Sequence, residues 1–243
     1  PDMYLEYCRR AFWDLPGMNR FRPLKRKTLP GRGVMIALVG ADGSGKSTLI
    51  EDLEKWISWK LSVRRVYYGI PKTKIVKILQ RLIYGLEKFN FKGIASLLDG
   101  LLWIHVARTR YMISLQAKDE SAAGKIVISD RFPLREFHTM AQPMDGPRLR
   151  DRSTRWRYLL SSLESRYYKS IRIPDRIFVL KVDLDEIRKR KSDLDLDTHR
   201  MKVDAVNNLA DTDVITVVDA GRPYEEVQLE LKRLIWNDLI RNR

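Results

Sequence analysis

The chain has 243 residues, 44% of them hydrophobic, enough for one large domain, or a domain with an extension, and for a full core. Its net charge of +15 implies anionic company, through a solvated basic surface or phosphorylated ligands, with nucleic acid the weakest fit. The single cysteine, Cys8, excludes an internal disulfide and a cysteine-built metal site, and no apolar run reaches the ~20 residues that span a bilayer. No apolar leader is visible, so a cytoplasmic protein is expected.

Residues 1–33 read as a basic N-terminal extension or linker. A short helix is expected over Met3 to Asp14, where Leu5, Cys8 and Phe12 recur at helical spacing, and Pro16-Gly17 ends it. From Val34 onward strand and helix patterns alternate. Strands are predicted at Val34 to Val39, Ser62 to Gly69, Lys125 to Ser129, Asp175 to Val182 and Asp213 to Asp219. Helices are predicted from about Lys46, at Lys74 to Phe89, Ile94 to Ala122, Ser153 to Ser170, Asp183 to Lys191, Thr198 to Leu209, and Pro223 to Ile240. Such alternation gives an α/β fold, a five-stranded parallel sheet with helices on both faces. Ligands of such sheets sit at the carboxyl ends of the strands, where Gly40, Asp130 and Asp183 fall.

The strongest chemical signal is Gly40-Ala41-Asp42-Gly43-Ser44-Gly45-Lys46-Ser47-Thr48, between a buried strand and an amphipathic helix. Glycines let successive backbone N–H groups turn inward around phosphate oxygens, and the helix start adds its positive end. Lys46 can then reach β- and γ-phosphates, and the Ser47 hydroxyl can coordinate Mg²⁺. A second cluster, Asp130-Arg131-Phe132, ends an apolar strand. There a carboxylate can act on the metal shell or the acceptor's proton, and a guanidinium fork can grip phosphate oxygens. A third runs from Arg188 through Arg190 to Arg200 and Lys202 and suits a lid near 188–202 that brings a cation to the phosphates. The three histidines have no metal-ligand spacing, so zinc is not expected.

Ala37 to Thr48, Val127 to Phe132, Val182-Asp-Leu-Asp185 with Arg188, and Val218-Asp-Ala220 occur in the order of the thymidylate kinase family, and the chain resembles that family over residues 34–240. The resemblance implies a three-layer P-loop kinase domain over 34–243, ATP with Mg²⁺ as donor, and a nucleotide-like phosphate acceptor. It implies that Asp42 contacts the acceptor's sugar, that Asp130 and Arg131 form the Asp-Arg-aromatic motif, and that Ala220 lies near the adenine. It makes Arg188, Arg190 or Arg200 the lid arginine and puts Arg108 on the acceptor-side helix. The family's Arg-Glu-Pro-Gly turn is replaced here by Tyr67-Tyr-Gly-Ile-Pro71. The expected function is therefore a kinase with Lys46, Asp130, Arg131 and Arg188 in catalysis. The alternative is an ATP-binding switch or assembly module for an anionic or protein partner. A homodimer through the long helix is open.

Overall fold

In the computed structural model, residues 27–139, 145–190 and 196–241 are described. The expected helix over Met3 to Asp14 lies outside them. Strand β1 (Met35–Gly40) is buried along its whole length, because it pairs on both edges and is covered on both faces. It runs parallel to β3 (Ile126–Asp130) on one side and β4 (Arg176–Lys181) on the other. Outer strands β2 (Val63–Tyr67) and β5 (Ile215–Asp219) complete a parallel sheet in the order β2-β3-β1-β4-β5.

Successive residues of a strand point to opposite faces, and β1 divides the core accordingly. Ile36 and Leu38 pack with Leu49, Ile50 and Leu53 of α1 (Lys46–Ser58) and with Leu231 and Ile235 of α7 (Tyr224–Arg241). Met35, Ala37 and Val39 face the other way. They meet Ala107 and Ala117 of α3 (Lys92–Ala122), Tyr168 of α4 (Arg155–Ser170) and Val206 of α6 (Leu196–Asn207). These are the three layers expected. Helix α2 (Lys74–Lys88) starts at Thr73, whose hydroxyl accepts the Val76 N–H, and pairs with α3 in a satellite cluster around Val76, Ile83 and Leu102. A short α5 (Leu184–Arg190) follows β4.

The boundaries match the sequence reading to within about two residues, with one addition, a 3-10 turn at Arg135–Thr139. The described end of the linker is bonded to the domain: the N–H groups of Lys27, Leu29 and Gly33 donate to the carbonyls of Lys60, Gly124 and Ser121. No described helix is long and apolar enough to cross a membrane.

Candidate active site

The loop between β1 and α1 is shaped by its glycines. A Cβ on Gly40 would sit 2.8 Å from Ser44 Oγ and 2.9 Å from the Leu180 carbonyl, so no side chain fits. Gly43 and Gly45 hold φ of +92° and +82°, the left-handed region that glycine enters without strain. Gly45 caps α1 without a side-chain hydrogen bond, so the first-turn N–H groups receive no oxygen from the cap. Free N–H groups at a helix start suit an anion. Lys46 is 8% exposed and folds back over the loop, donating to the Ala41 carbonyl at 2.6 Å. Burial lowers its pKa to about 8, against the pull of the Asp42, Asp130 and Asp145 carboxylates. Ser47 and Thr48 are exposed at the helix start.

Opposite the loop, Asp130 ends β3, in register with Leu38 of β1 and Tyr67 of β2. Its Oδ1 is buried and has no hydrogen-bond partner, while Oδ2 lies 3.8 Å from the Arg65 guanidinium. A buried carboxylate oxygen without a partner is costly unless a ligand, metal or water serves it. Arg131 follows with φ +59°, a conformation that costs a non-glycine residue about 1–2 kcal/mol and clusters at functional sites. The turn aims its guanidinium at Asp42, 3.0 Å away. The other oxygen of Asp42 accepts from Lys202 of α6 at 2.9 Å. Burial pushes the Asp42 carboxyl up, but the hydrogen bond and charge of Lys202, with Arg131 and Lys46, outweigh it and hold the pKa at about 2.

Beside Arg131 opens a cavity of about 360 Å³, lined by Tyr67, Pro71, Trp103, Arg110, Arg131 and Arg148 among others. Its inner wall is a buried ion cluster. Arg110, 1% exposed, donates to the Tyr68 carbonyl at 2.6 Å, the Tyr168 hydroxyl at 2.5 Å and Asp145 Oδ1 at 3.1 Å, and also to the Asp145 carbonyl. Asp145, itself at φ +53°, sits between Arg110 and Arg131. Burial raises its pKa, and the two guanidinium groups oppose that rise. At the outer rim, Arg148 stacks over Trp103, 5.2 Å from the ring centroid. The rim is pinned by fully buried Glu164, which accepts the N–H groups of Arg148 and Leu149.

The expected residues Gly40, Asp42, Gly43, Ser44, Gly45, Lys46, Ser47, Thr48, Asp130 and Arg131 therefore gather at one end of the sheet. Ala220 is buried at the end of β5, donating to the Lys181 carbonyl at 2.8 Å. Arg108 is corrected: it is exposed on α3 and does not line the cavity, and Arg110 does. Two residues turn a helix by about 200°, which sends the two side chains to opposite sides. The lid assignment also changes. Arg188 faces solvent and pairs with Asp185 at 3.6 Å, Arg200 is exposed, and residues 191–195 and the side chain of Arg190 lie outside the described ones. Among the described side chains of this region, Lys202 reaches the loop. Arg110 and Asp145 escaped the sequence reading, which placed Lys202 in the lid cluster but did not pair it with Asp42. For Arg110 a signal existed: Ala107, Arg110, Ser114, Ala117 and Ser121 recur three and four apart, the buried stripe of α3.

No protein-family model matches the chain. A protein of Escherichia coli described as the uncharacterized ATP-binding protein YghR is 28% identical over 225 residues, covering 85% of this chain and 87% of that protein. In fold, a thymidylate kinase from Candida albicans matches with a TM-score of 0.52 at 21% identity, over 86% of this chain and 93% of the other. A thymidylate kinase of Prochlorococcus marinus is 31% identical over 170 residues, 66% of this chain and 69% of that enzyme. On that identity and coverage, the chain belongs to the thymidylate kinase family.

Proposed function

We propose that the chain is a phosphotransferase that moves the γ-phosphoryl group of ATP, with Mg²⁺, to a nucleoside monophosphate or a related small acceptor. One juxtaposition carries this reading. Buried Lys46 and the uncapped glycine loop lie on one side of Arg131, and a separate basic cavity lies on the other. A donor and an acceptor can thus meet at Arg131. The ATP-binding description of one relative and the thymidylate kinase names of two others support the same reading.

In this mechanism the loop N–H groups and Lys46 hold the donor's β- and γ-phosphates. The residues suited to Mg²⁺ are Ser47, with an exposed hydroxyl at the first turn, and Asp130, whose Oδ1 lacks a protein partner. The ion would neutralise phosphate charge there. An acceptor oxygen attacks the γ-phosphorus, the bond to the β-bridging oxygen breaks, and ADP leaves. Lys46 and Arg131 stabilise the charge on the equatorial oxygens, and positioning supplies most of the acceleration. Because Arg110 is committed to protein acceptors, the cations left for the acceptor's anionic group are Arg131, Arg148, Lys72 and Lys77. Arg148→Ala should raise the acceptor KM about tenfold with kcat retained, the signature of lost uniform binding in steady-state kinetics.

Binding is also linked to pH. With the Lys46 pKa at about 8 in the empty site, bound phosphates restore the ammonium and raise that pKa. The complex then holds more protons than the free protein above pH ~8, so ATP affinity falls as pH rises through that range. Calorimetry in buffers of different ionisation enthalpy should show proton uptake at pH ~8.5 in the native protein and none in Lys46→Met. The function itself is tested by offering Mg²⁺, ATP and a panel of nucleoside monophosphates, nucleosides and sugars while following ADP release. Stimulation by one acceptor above the ATP-only rate supports a kinase and names its substrate class. Tight ATP binding with no stimulation by any of them points instead to the nucleotide-dependent switch.

A further inference from the structure

We propose that the N-terminal segment Met3 to Asp14 docks its apolar face into a tryptophan-lined groove between the ends of α1 and α7.

This surface is separate from the active site. Helix α1 starts at the glycine loop, and its 13 residues put its other end about 20 Å away. There Trp56 and Trp59 face Trp236 and Ile240 of α7 across a cavity of about 700 Å³, with Leu29 and Leu61 at its side. Trp59 is 73% exposed, Trp236 50% and Ile240 52%. Single exposed apolar side chains are ordinary, but a contiguous group of this kind marks a contact surface. Lys60 is the one charged residue among the described lining, and its ammonium already lies over the Trp59 ring, 4.4 Å from the centroid. The groove therefore suits an apolar occupant and offers an anion little.

The chain itself arrives at this groove. The Lys27 N–H donates to the Lys60 carbonyl and the Ser62 N–H donates to the Lys27 carbonyl, both at 2.9 Å, so Lys27 runs parallel to Leu61. Parallel neighbours share a direction, so the backbone at Lys27 points back toward Lys60 and Trp59 on its N-terminal side. The 26 residues before Lys27 supply both a tether and an occupant. Leu15 to Arg26 can span up to about 40 Å when extended, ample to turn back over the groove. Met3 to Asp14 carries Leu5, Cys8 and Phe12 at helical spacing. A helix this short is marginal alone in water and needs a surface to bury that face. Its charges also permit the approach: Glu6 and Asp14 offset Arg9 and Arg10, so it meets a basic domain without net repulsion.

Cys8 is the only cysteine and lies on the docking face, so one thiol reports the contact. The test is the rate at which a thiol reagent modifies Cys8 in the full chain, native and in urea, and in Phe12→Glu, Trp236→Glu and Leu229→Glu, with thermal melts of each. Native Cys8 should react at least about tenfold more slowly than in urea. Phe12→Glu and Trp236→Glu should each release most of that protection, and Leu229→Glu, on α7 outside the groove, should keep it. A second readout does not depend on how Trp236→Glu folds. Under mild oxidation Ile240→Cys should close a disulfide with Cys8 within one chain, and Leu229→Cys should not. Cys8 that reacts at its urea rate in the native protein, or protection that survives Phe12→Glu, overturns the proposal. So does failure of Ile240→Cys to form the bond. A bond that joins two chains, or protection that rises with protein concentration, also overturns it and assigns the groove to a second copy.

Discussion

Lys46→Met should lower phosphoryl transfer by about 10³-fold and leave the fold intact. The loss is expected because Lys46 is the one ammonium inside the glycine loop, 8% exposed and bonded to the loop's own Ala41 carbonyl at 2.6 Å. Arg131 and Lys202 are anchored at Asp42 and do not take the place of the ammonium bonded inside the loop. Stability should move the other way. Burial lowers the Lys46 pKa to about 8, so keeping it charged in the empty site costs free energy that methionine of similar length avoids. The melting temperature should therefore stay level or rise, the pattern of a residue kept for activity at some cost in stability. Transfer assays beside thermal melts check both halves, and a variant that loses activity only because it unfolds would contradict them.

Arg110→Met should have the opposite profile, with stability lost first. Arg110 is 1% exposed and is held by the Tyr68 carbonyl, the Tyr168 hydroxyl and Asp145. Methionine fills part of the space but leaves the largely buried Asp145 carboxylate with Arg131, 3.8 Å away, as its remaining ion-pair partner among the described residues. Breaking one side of a buried ion pair costs about 3–5 kcal/mol, which at this chain length corresponds to a fall in melting temperature of roughly 10 °C. Arg110→Lys should recover little, because an ammonium cannot span three acceptors in the guanidinium plane. Adding Asp145→Asn to Arg110→Met should restore part of the loss by removing the stranded charge. Additive losses in that double variant would show that the two side chains are not coupled.

The fold was legible in the sequence because its signals are local. The unbroken apolar run ending at Gly40 could only be a strand buried on both faces, and β1 is one. The apolar positions Leu49, Leu53 and Ile57 fixed α1 and its buried face by their spacing alone. The glycine loop was legible for the same reason, since its glycines, lysine and hydroxyl are consecutive. What escaped joins distant parts of the chain. Arg110 meets Asp145 across 35 residues, and Lys202 meets Asp42 across 160. Neither pairing has a local spacing rule behind it. A cation-rich stretch such as 188–202 cannot declare which of its members turns inward until α6 packs on the sheet. The misassigned Arg108 is a different case, because the small-residue stripe of α3 already pointed to Arg110.

On the proposed reading, the glycine loop presents a γ-phosphoryl group to an acceptor lodged in the cavity beside Arg131. The most direct measurement is a single-turnover experiment with γ-labelled ATP, Mg²⁺ and the best acceptor of the panel, comparing the native protein with Lys46→Met. Label should appear in a phosphorylated acceptor with the native protein and be absent with the variant. Label that remains in ATP, passes only to water, or reaches the acceptor equally in both proteins would contradict that reading.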